Sequence, residues 1–210
     1  MGYSRRQGIK VTRRIFVLRH GQTQFNAEQK LQGHCNSPLT AKGLAQARSV
    51  GEALSEYLGE RTYRVYASPL GRAVQTATIV CEQVGHCASK IVQDERLKEF
   101  ALGEWEQRTI PSLVAEQPNL LSQSDWYLQA PKSESYQSVK ARLVSWLNDL
   151  PEDGDVVVVS HALTGAVLRG ALMDMSYEQV WEQDLPQDAF FMIENGEMSR
   201  IDCLVELETA

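Results

Sequence analysis

The sequence predicts an α/β fold: a three-layer sandwich with a mostly parallel central sheet, an antiparallel edge hairpin and a small inserted lid. Three observations predict it. Short apolar runs alternate with helical stripes, which implies parallel strands joined by crossover helices. Asp155-Val156-Val157-Val158-Val159 is apolar without alternation, as a strand covered on both faces must be. Asn195-Gly196 separates the β-like runs 189–193 and 198–204, and this dipeptide accepts the positive φ angles of a tight hairpin turn.

In chain order, residues 14–18 read as a buried strand that ends at Arg19-His20-Gly21. Thr40 offers a side-chain oxygen to cap the next helix, over 41–57, whose apolar stripe falls at 44, 47, 50, 54, 57 and 58. Residues 64–67 form a second strand. Ser68 and Pro69 are placed as N-cap and first helical residue of a helix reaching about 84, because proline suits that first position. Ser135 starts a helix with Val139, Leu143, Trp146, Leu147 and Leu150 on one face. Asp153-Gly154 turns into the 155–159 strand, which stops at Ser160-His161 before a helix containing 163–173. Residues 100–135 break this rhythm with Trp105, Pro111, Pro118, Trp126, Tyr127 and Pro131. The expected organisation is a basic tail over 1–13 and one domain over 14–210, with a lid inserted at about 104–135.

At 210 residues, 43% hydrophobic and 23% charged, the chain has the make-up of an ordinary soluble domain. Its longest strand-like apolar runs, 15–18 and 156–159, fall far short of the roughly 18 residues of a membrane helix. The net charge of −6 argues against a general nucleic-acid binder, which needs a basic face, but leaves room for a small anion held by local positive charge. Residues 1–14 hold Arg5, Arg6, Lys10, Arg13 and Arg14 and no acid. No apolar stretch follows them, so no signal peptide is read, and Arg6 stands where myristoylation of Gly2 would need Ser or Thr. The four cysteines include no Cys-x-x-Cys, and His34-Cys35 and His86-Cys87 lack metal-ligand spacing. Reduced thiols in a cytoplasmic protein, with no metal and no cofactor, are expected. Oligomeric state is not legible.

The chemistry lies at the strand ends, where ligands of open α/β sheets bind. The first strand delivers Arg19 and His20, the second delivers Arg72 in the first turn of its helix, and the 155–159 strand delivers His161. Two arginines and two histidines at one edge make an oxyanion site suited to a phosphoryl group. Singly, each has a bland reading as a hydrogen-bonded or ion-paired structural residue; four together at one edge favour function.

These residues sit in motifs that resemble the histidine phosphatase superfamily, in its phosphoglycerate mutase-like branch. The motifs are Leu18-Arg19-His20-Gly21-Gln22-Thr23, then Asn26, Gln32-Gly33 and Pro38-Leu39-Thr40 with Gly43. Further on come Ala67-Ser68-Pro69-Leu70-Gly71-Arg72-Ala73-Val74-Gln75-Thr76-Ala77, Leu97-Lys98-Glu99, Gly103-Glu104-Trp105-Glu106, Glu134-Ser135 and Val159-Ser160-His161. The resemblance implies that His20 is the nucleophile that becomes a phosphohistidine. It implies that Arg19, Arg72 and His161 hold the phosphoryl oxygens and that Glu99 protonates the leaving oxygen and then activates water. Thr23, Asn26, Gln32, Gly33 and Ala162 fall on the substrate side. The nearby arginines are expected to keep the His20 imidazole neutral.

The sequence departs from the family pattern at Gln22, where an acid is common, and at Gln107, Ser133 and Ala162, where glycine is common. An Ala162 side chain would crowd a backbone contact if that position required a glycine-only conformation. The implied activity is hydrolysis of small phosphorylated metabolites. The alternatives are a phosphoglycerate mutase-type isomerase and, less favoured because His20, Glu99 and His161 are all present, a non-catalytic phospho-ligand binder. Lid aromatics Trp105, Trp126 and Tyr127 either stack on substrate or form the lid's own core. Lys132 and Arg108 either meet a second anionic group or stay on the surface.

Overall fold

A computed structural model describes residues 13–205, so the expected basic tail lies, apart from Arg13, outside the described residues. The chain runs β1 (Ile15–Arg19), α1 (Gln24–Ala27), α2 (Ala41–Leu58), β2 (Tyr63–Ala67), α3 (Gly71–Gln83) and β3 (Val92–Gln93). It continues through α4 (Ile110–Glu116), α5 (Tyr136–Asn148), β4 (Asp155–Ser160), α6 (Ala162–Leu172), α7 (Tyr177–Trp181), β5 (Ala189–Glu194) and β6 (Glu197–Asp202). The sheet order is β3-β2-β4-β1-β5-β6. β1, β4, β2 and β3 are parallel, and β5 and β6 form the antiparallel edge.

The central strands explain the three layers. Register runs from Ile15 opposite Val156 to Arg19 opposite Ser160. Phe16, Leu18, Val157 and Val159 face α2 and α3, packing with Val50, Leu54, Ala77 and Val80. Ile15, Val17, Val156 and Val158 face the opposite side with Leu143 and Trp146 of α5 and Val167 of α6. All of β4 is therefore buried, and each fully buried valine contributes about 1.5–3 kcal/mol. The hairpin turns at Asn195 and Gly196, whose φ angles are 54° and 78°.

One local expectation is corrected. Ser68 and Pro69 do not open α3: the helix starts at Gly71 with Leu70 as N-cap and no side-chain cap. Ser68 is instead drawn to a neighbouring histidine, described below. Thr40 and Ser135 do cap α2 and α5, accepting from Gly43 N and Ser138 N.

Residues 104–135 hold α4 and several short 3-10 turns. Trp105, Leu113, Leu120 and Trp126 are buried there and continue the core on the α5–α6 side. Trp126 packs on Tyr127 with ring centroids 4.1 Å apart and on Trp105 at 6.2 Å. The two tryptophans are thus internal core, while Tyr127 reaches the cavity described next. Arg108 pairs with Glu116 and Lys132 with Glu104 at the surface.

Candidate active site

The site forms where the parallel strands end. His20 extends the β1 ladder by one bond, from its N–H to Ser160 O at 3.1 Å, which anchors its backbone at the sheet edge. The next residues rest directly on the start of α2. A Cβ on Gly21 would stand 2.3 Å from Gly43 O, and one on Gly43 would stand 2.0 Å from Gln22 O. That close approach requires both glycines. β2 and the turn after it bring Arg72 into α3, and β4 delivers His161 as N-cap of α6.

The imidazole of His20 is oriented from both sides. Its Nδ1 lies 2.8 Å from Gly21 O, and a carbonyl only accepts, so Nδ1 carries the proton. Nε2 is left as an acceptor and receives the Nε–H of Arg72 at 3.3 Å. The other guanidinium nitrogens of Arg72 donate to Cys35 O and Gly33 O, both at 2.8 Å. His161 meets His20 edge-on with centroids 5.2 Å apart, and its Nε2 lies 2.7 Å from Ser68 Oγ. Among the described residues its Nδ1 has no hydrogen-bond partner, nor has Arg19 Nε. Arg19 donates through Nη1 to Leu185 O.

Burial sets the electrostatics. His20, Arg72 and His161 are 3%, 1% and 1% exposed. Burial first, then the charges of Arg72 and Arg19, hold His20 well below the ordinary histidine range. Burial, Arg72, His20 and Arg19 in that order do the same for His161. The surroundings thus favour the neutral imidazole at His20, as the flanking arginines led one to expect. Burial also lowers Arg72 to about 10, with Glu99 opposing the shift.

Glu99 enters from the segment after β3 and docks on the N-terminus of α6. Its Oε1 accepts from Phe100 N at 3.0 Å and Thr164 N at 2.9 Å, and the Thr164 hydroxyl, whose one proton is shared between Lys98 O at 2.8 Å and this oxygen, lies 3.0 Å away. Its Oε2 accepts only from Leu163 N, at 3.2 Å. Oε1 is saturated, so Oε2 is the oxygen with a lone pair left to hold or take a proton.

A cavity of about 280 Å³ joins these groups: Arg19, His20, Arg72 and Glu99 line it together with Asn26, Gln32, Gly33 and Ala162. Neither His161 nor Thr23 lines it: His161 packs edge-on behind His20, and the Thr23 hydroxyl caps α1 by accepting from Asn26 N. Ala162 is the first residue of α6 and has no positive φ, so it needs no glycine. Gln107, by contrast, sits at φ 67°, the left-handed conformation that glycine favours.

Sequence reasoning missed several contributors. Ser68 orients His161, and Thr164 fixes Glu99. Gln187 Nε2 donates to His20 O and Asn26 Oδ1, and Lys30 and Leu185 join the wall, where Tyr127, one of the lid aromatics the sequence singled out, also lies. Thr164, three residues past His161 on α6, was legible as a helix first-turn position; Gln187 and Leu185 carried no signal. Among the described residues, no group of His, Cys, Asp and Glu is placed to hold a metal ion, and no helix is long and apolar enough to cross a membrane.

This arrangement, a neutral histidine flanked by arginines beside a carboxylate, defines an enzyme of phosphoryl transfer. The chain belongs to the histidine phosphatase superfamily (branch 1), whose profile it matches over residues 15–199. It is 36% identical over 167 residues to the probable phosphoglycerate mutase GpmB of Enterobacter sp. (strain 638), covering 77% of this chain and 75% of that protein. It is similar to a mycobacterial glucosyl-3-phosphoglycerate phosphatase solved with VO3, at 26% identity and TM-score 0.73, over 91% and 98% of the two chains. It is also similar to a putative alpha-ribazole-5'-P phosphatase of Escherichia coli K-12, at 26% identity and TM-score 0.72, over 91% and 95%. A phosphohistidine mechanism is typical of this superfamily.

Proposed function

We propose that the protein hydrolyses small phosphomonoesters through a phosphohistidine on Nε2 of His20. The observation that carries the reading is the bond from Nδ1–H to Gly21 O, which leaves the Nε2 lone pair at the cavity beside Arg72. His20 Nε2 attacks phosphorus, the ester P–O bond breaks, and the departing oxygen takes a proton from Glu99 Oε2. Glu99 then accepts a proton from water as that water attacks phosphorus and the N–P bond breaks. Arg19, Arg72 and His161 hold the equatorial oxygens, supplying the charge stabilisation that a loose transition state needs. Residues 104–135 act as the lid, through Ile110 and Tyr127.

The cavity wall supports a monoester whose body has both an apolar and a hydrogen-bonding face. Beyond Arg19 and Arg72 the wall is mixed: Leu31, Leu102, Ile110, Tyr127 and Leu185 form its apolar part, and Asn26, Gln29, Gln32 and Lys30 its polar part. Lys30 pairs with Glu28 at 2.5 Å in a half-exposed ion pair, which costs little to exchange for a second charge on the substrate. The likeness to GpmB supports mutase-type transfer as a second reading. The deciding experiment follows phosphate release from p-nitrophenyl phosphate and a panel of monoesters, with 3-phosphoglycerate isomerisation (plus 2,3-bisphosphoglycerate) in parallel. Release lost in His20→Ala is the expected result; isomerisation without release would overturn the hydrolase reading.

A further inference from the structure

We infer that Glu106 is a positioning residue that sets Arg72 against His20 by holding the loop of residues 33–35. The inference rests on the phosphoryl-site reading above. Among the described residues no carboxylate pairs with the guanidinium of Arg72; its two terminal nitrogens are held by the carbonyls of Gly33 and Cys35. Where those two carbonyls point therefore decides where Arg72 Nε points. Glu106 grips the same loop from the other side. Its Oε1 accepts from His34 N at 3.0 Å and Leu102 N at 3.1 Å, and its Oε2 accepts from Cys35 Sγ at 3.2 Å.

The fit is mutual. Gly33 adopts φ 50°, and a Cβ there would stand 2.1 Å from Glu106 Oε1, so glycine is what lets the carboxylate reach the loop. Backbone bonds from Gln107 N to Leu31 O and from Leu31 N to Arg108 O tie the segment around Glu106 to the loop's approach. His34 Nε2 donates to Glu99 O at 2.8 Å, so the loop that Glu106 holds touches the backbone of the carboxylate as well. Glu106 does not line the cavity. It acts through Arg72, not on substrate. A pair of carbonyls free to swing by about 1 Å would misplace the guanidinium, and displacements of that size cost on the order of 100-fold in rate.

The test is a double-mutant cycle on kcat/KM for p-nitrophenyl phosphate, with inhibition by orthovanadate and thermal melting alongside. Glu106→Ala is expected to lower kcat/KM by about 10- to 100-fold and to weaken orthovanadate inhibition by a similar factor. Glu106→Gln keeps an oxygen for the backbone N–H groups and is expected within about 3-fold of wild type, a span of under 1 kcal/mol. In an Arg72→Ala background, Glu106→Ala should add less than about 2-fold, because residues acting as one unit are not additive. Should Glu106→Ala not fold, Glu106→Asp, one methylene short of bridging both segments, takes its place with the same expectation. An equal fold-loss with and without Arg72 would overturn the inference, as would a neutral Glu106→Ala beside an impaired Arg72→Ala. A fully active Arg72→Ala would instead overturn the phosphoryl-site reading itself.

Discussion

The Nε–H of Arg72 points at Nε2 of His20, 3.3 Å away, so an arginine marks the lone pair on which the proposed chemistry turns. The proton on the far side of the ring is committed to Gly21 O. His20→Asn should keep the fold and lower kcat by at least about 10³-fold, the scale of losing a nucleophile. Alkaline quenching of wild-type enzyme with labelled substrate should trap a base-stable phosphoryl group that the variant lacks. Label retained by His20→Asn would reject the assignment.

Two buried histidines held below their ordinary range make stability pH-dependent. Their folded pKa values lie below the unfolded value, about 6.5. The unfolded chain therefore binds more protons as pH falls, and stability fully present above 6.5 is lost on acidification. Melting temperature should drop below pH 6.5, and more shallowly in His161→Asn. The acid limb of kcat/KM should lie well under pH 6.5. A flat melting profile from pH 7.5 to 5 would contradict the burial argument.

Ser68 offers a second test. Its hydroxyl lies 2.7 Å from His161 Nε2. Ser68→Ala should cost about 1–3 kcal/mol of stability by leaving a buried ring nitrogen unpaired. It should also lower kcat/KM about 10-fold, the scale of a lost orienting bond. Unchanged kinetics would separate His161 orientation from catalysis.

Glu99 predicts a leaving-group effect. Glu99→Gln cannot deliver a proton through Oε2, so alkyl phosphates should slow by about 100-fold or more, within the usual range of general acid catalysis. p-Nitrophenyl phosphate, whose leaving group needs little protonation, should slow much less when the pre-steady-state burst is followed, since the burst precedes the water step that Glu99 also serves. Equal losses on both esters would remove the acid role.

Gln107 carries a stability prediction. At φ 67° it pays the left-handed penalty of an L-residue, about 1–2 kcal/mol. Gln107→Gly should relieve that strain, give up the long Nε2 contact to Cys35 Sγ and the backbone entropy, and raise stability by about 0.5–1 kcal/mol. Urea unfolding measures it, and a lower midpoint would show that the side-chain contacts outweigh the strain.

Five of the six described strands and the candidate residues were legible in the sequence; the two-residue edge strand β3 was not. An uninterrupted Val156–Val159 run can only be a strand covered on two faces, and Asn195-Gly196 can only turn tightly. Arg19, His20, Arg72 and His161 were legible because each follows a strand end, where topology alone brings side chains to one edge. Ser68 was misread because capping propensity is local, whereas the bond to His161, 93 residues away, is decided by packing. Only the tertiary structure decided the tautomer of His20, the free lone pair of Glu99 and the role of Gln187. Each depends on which carbonyl or N–H comes within about 3 Å, a distance set by how the layers close. The same holds for Glu106: its motif was visible, but its grip on residues 33–35 exists only once the insertion folds back over the sheet edge.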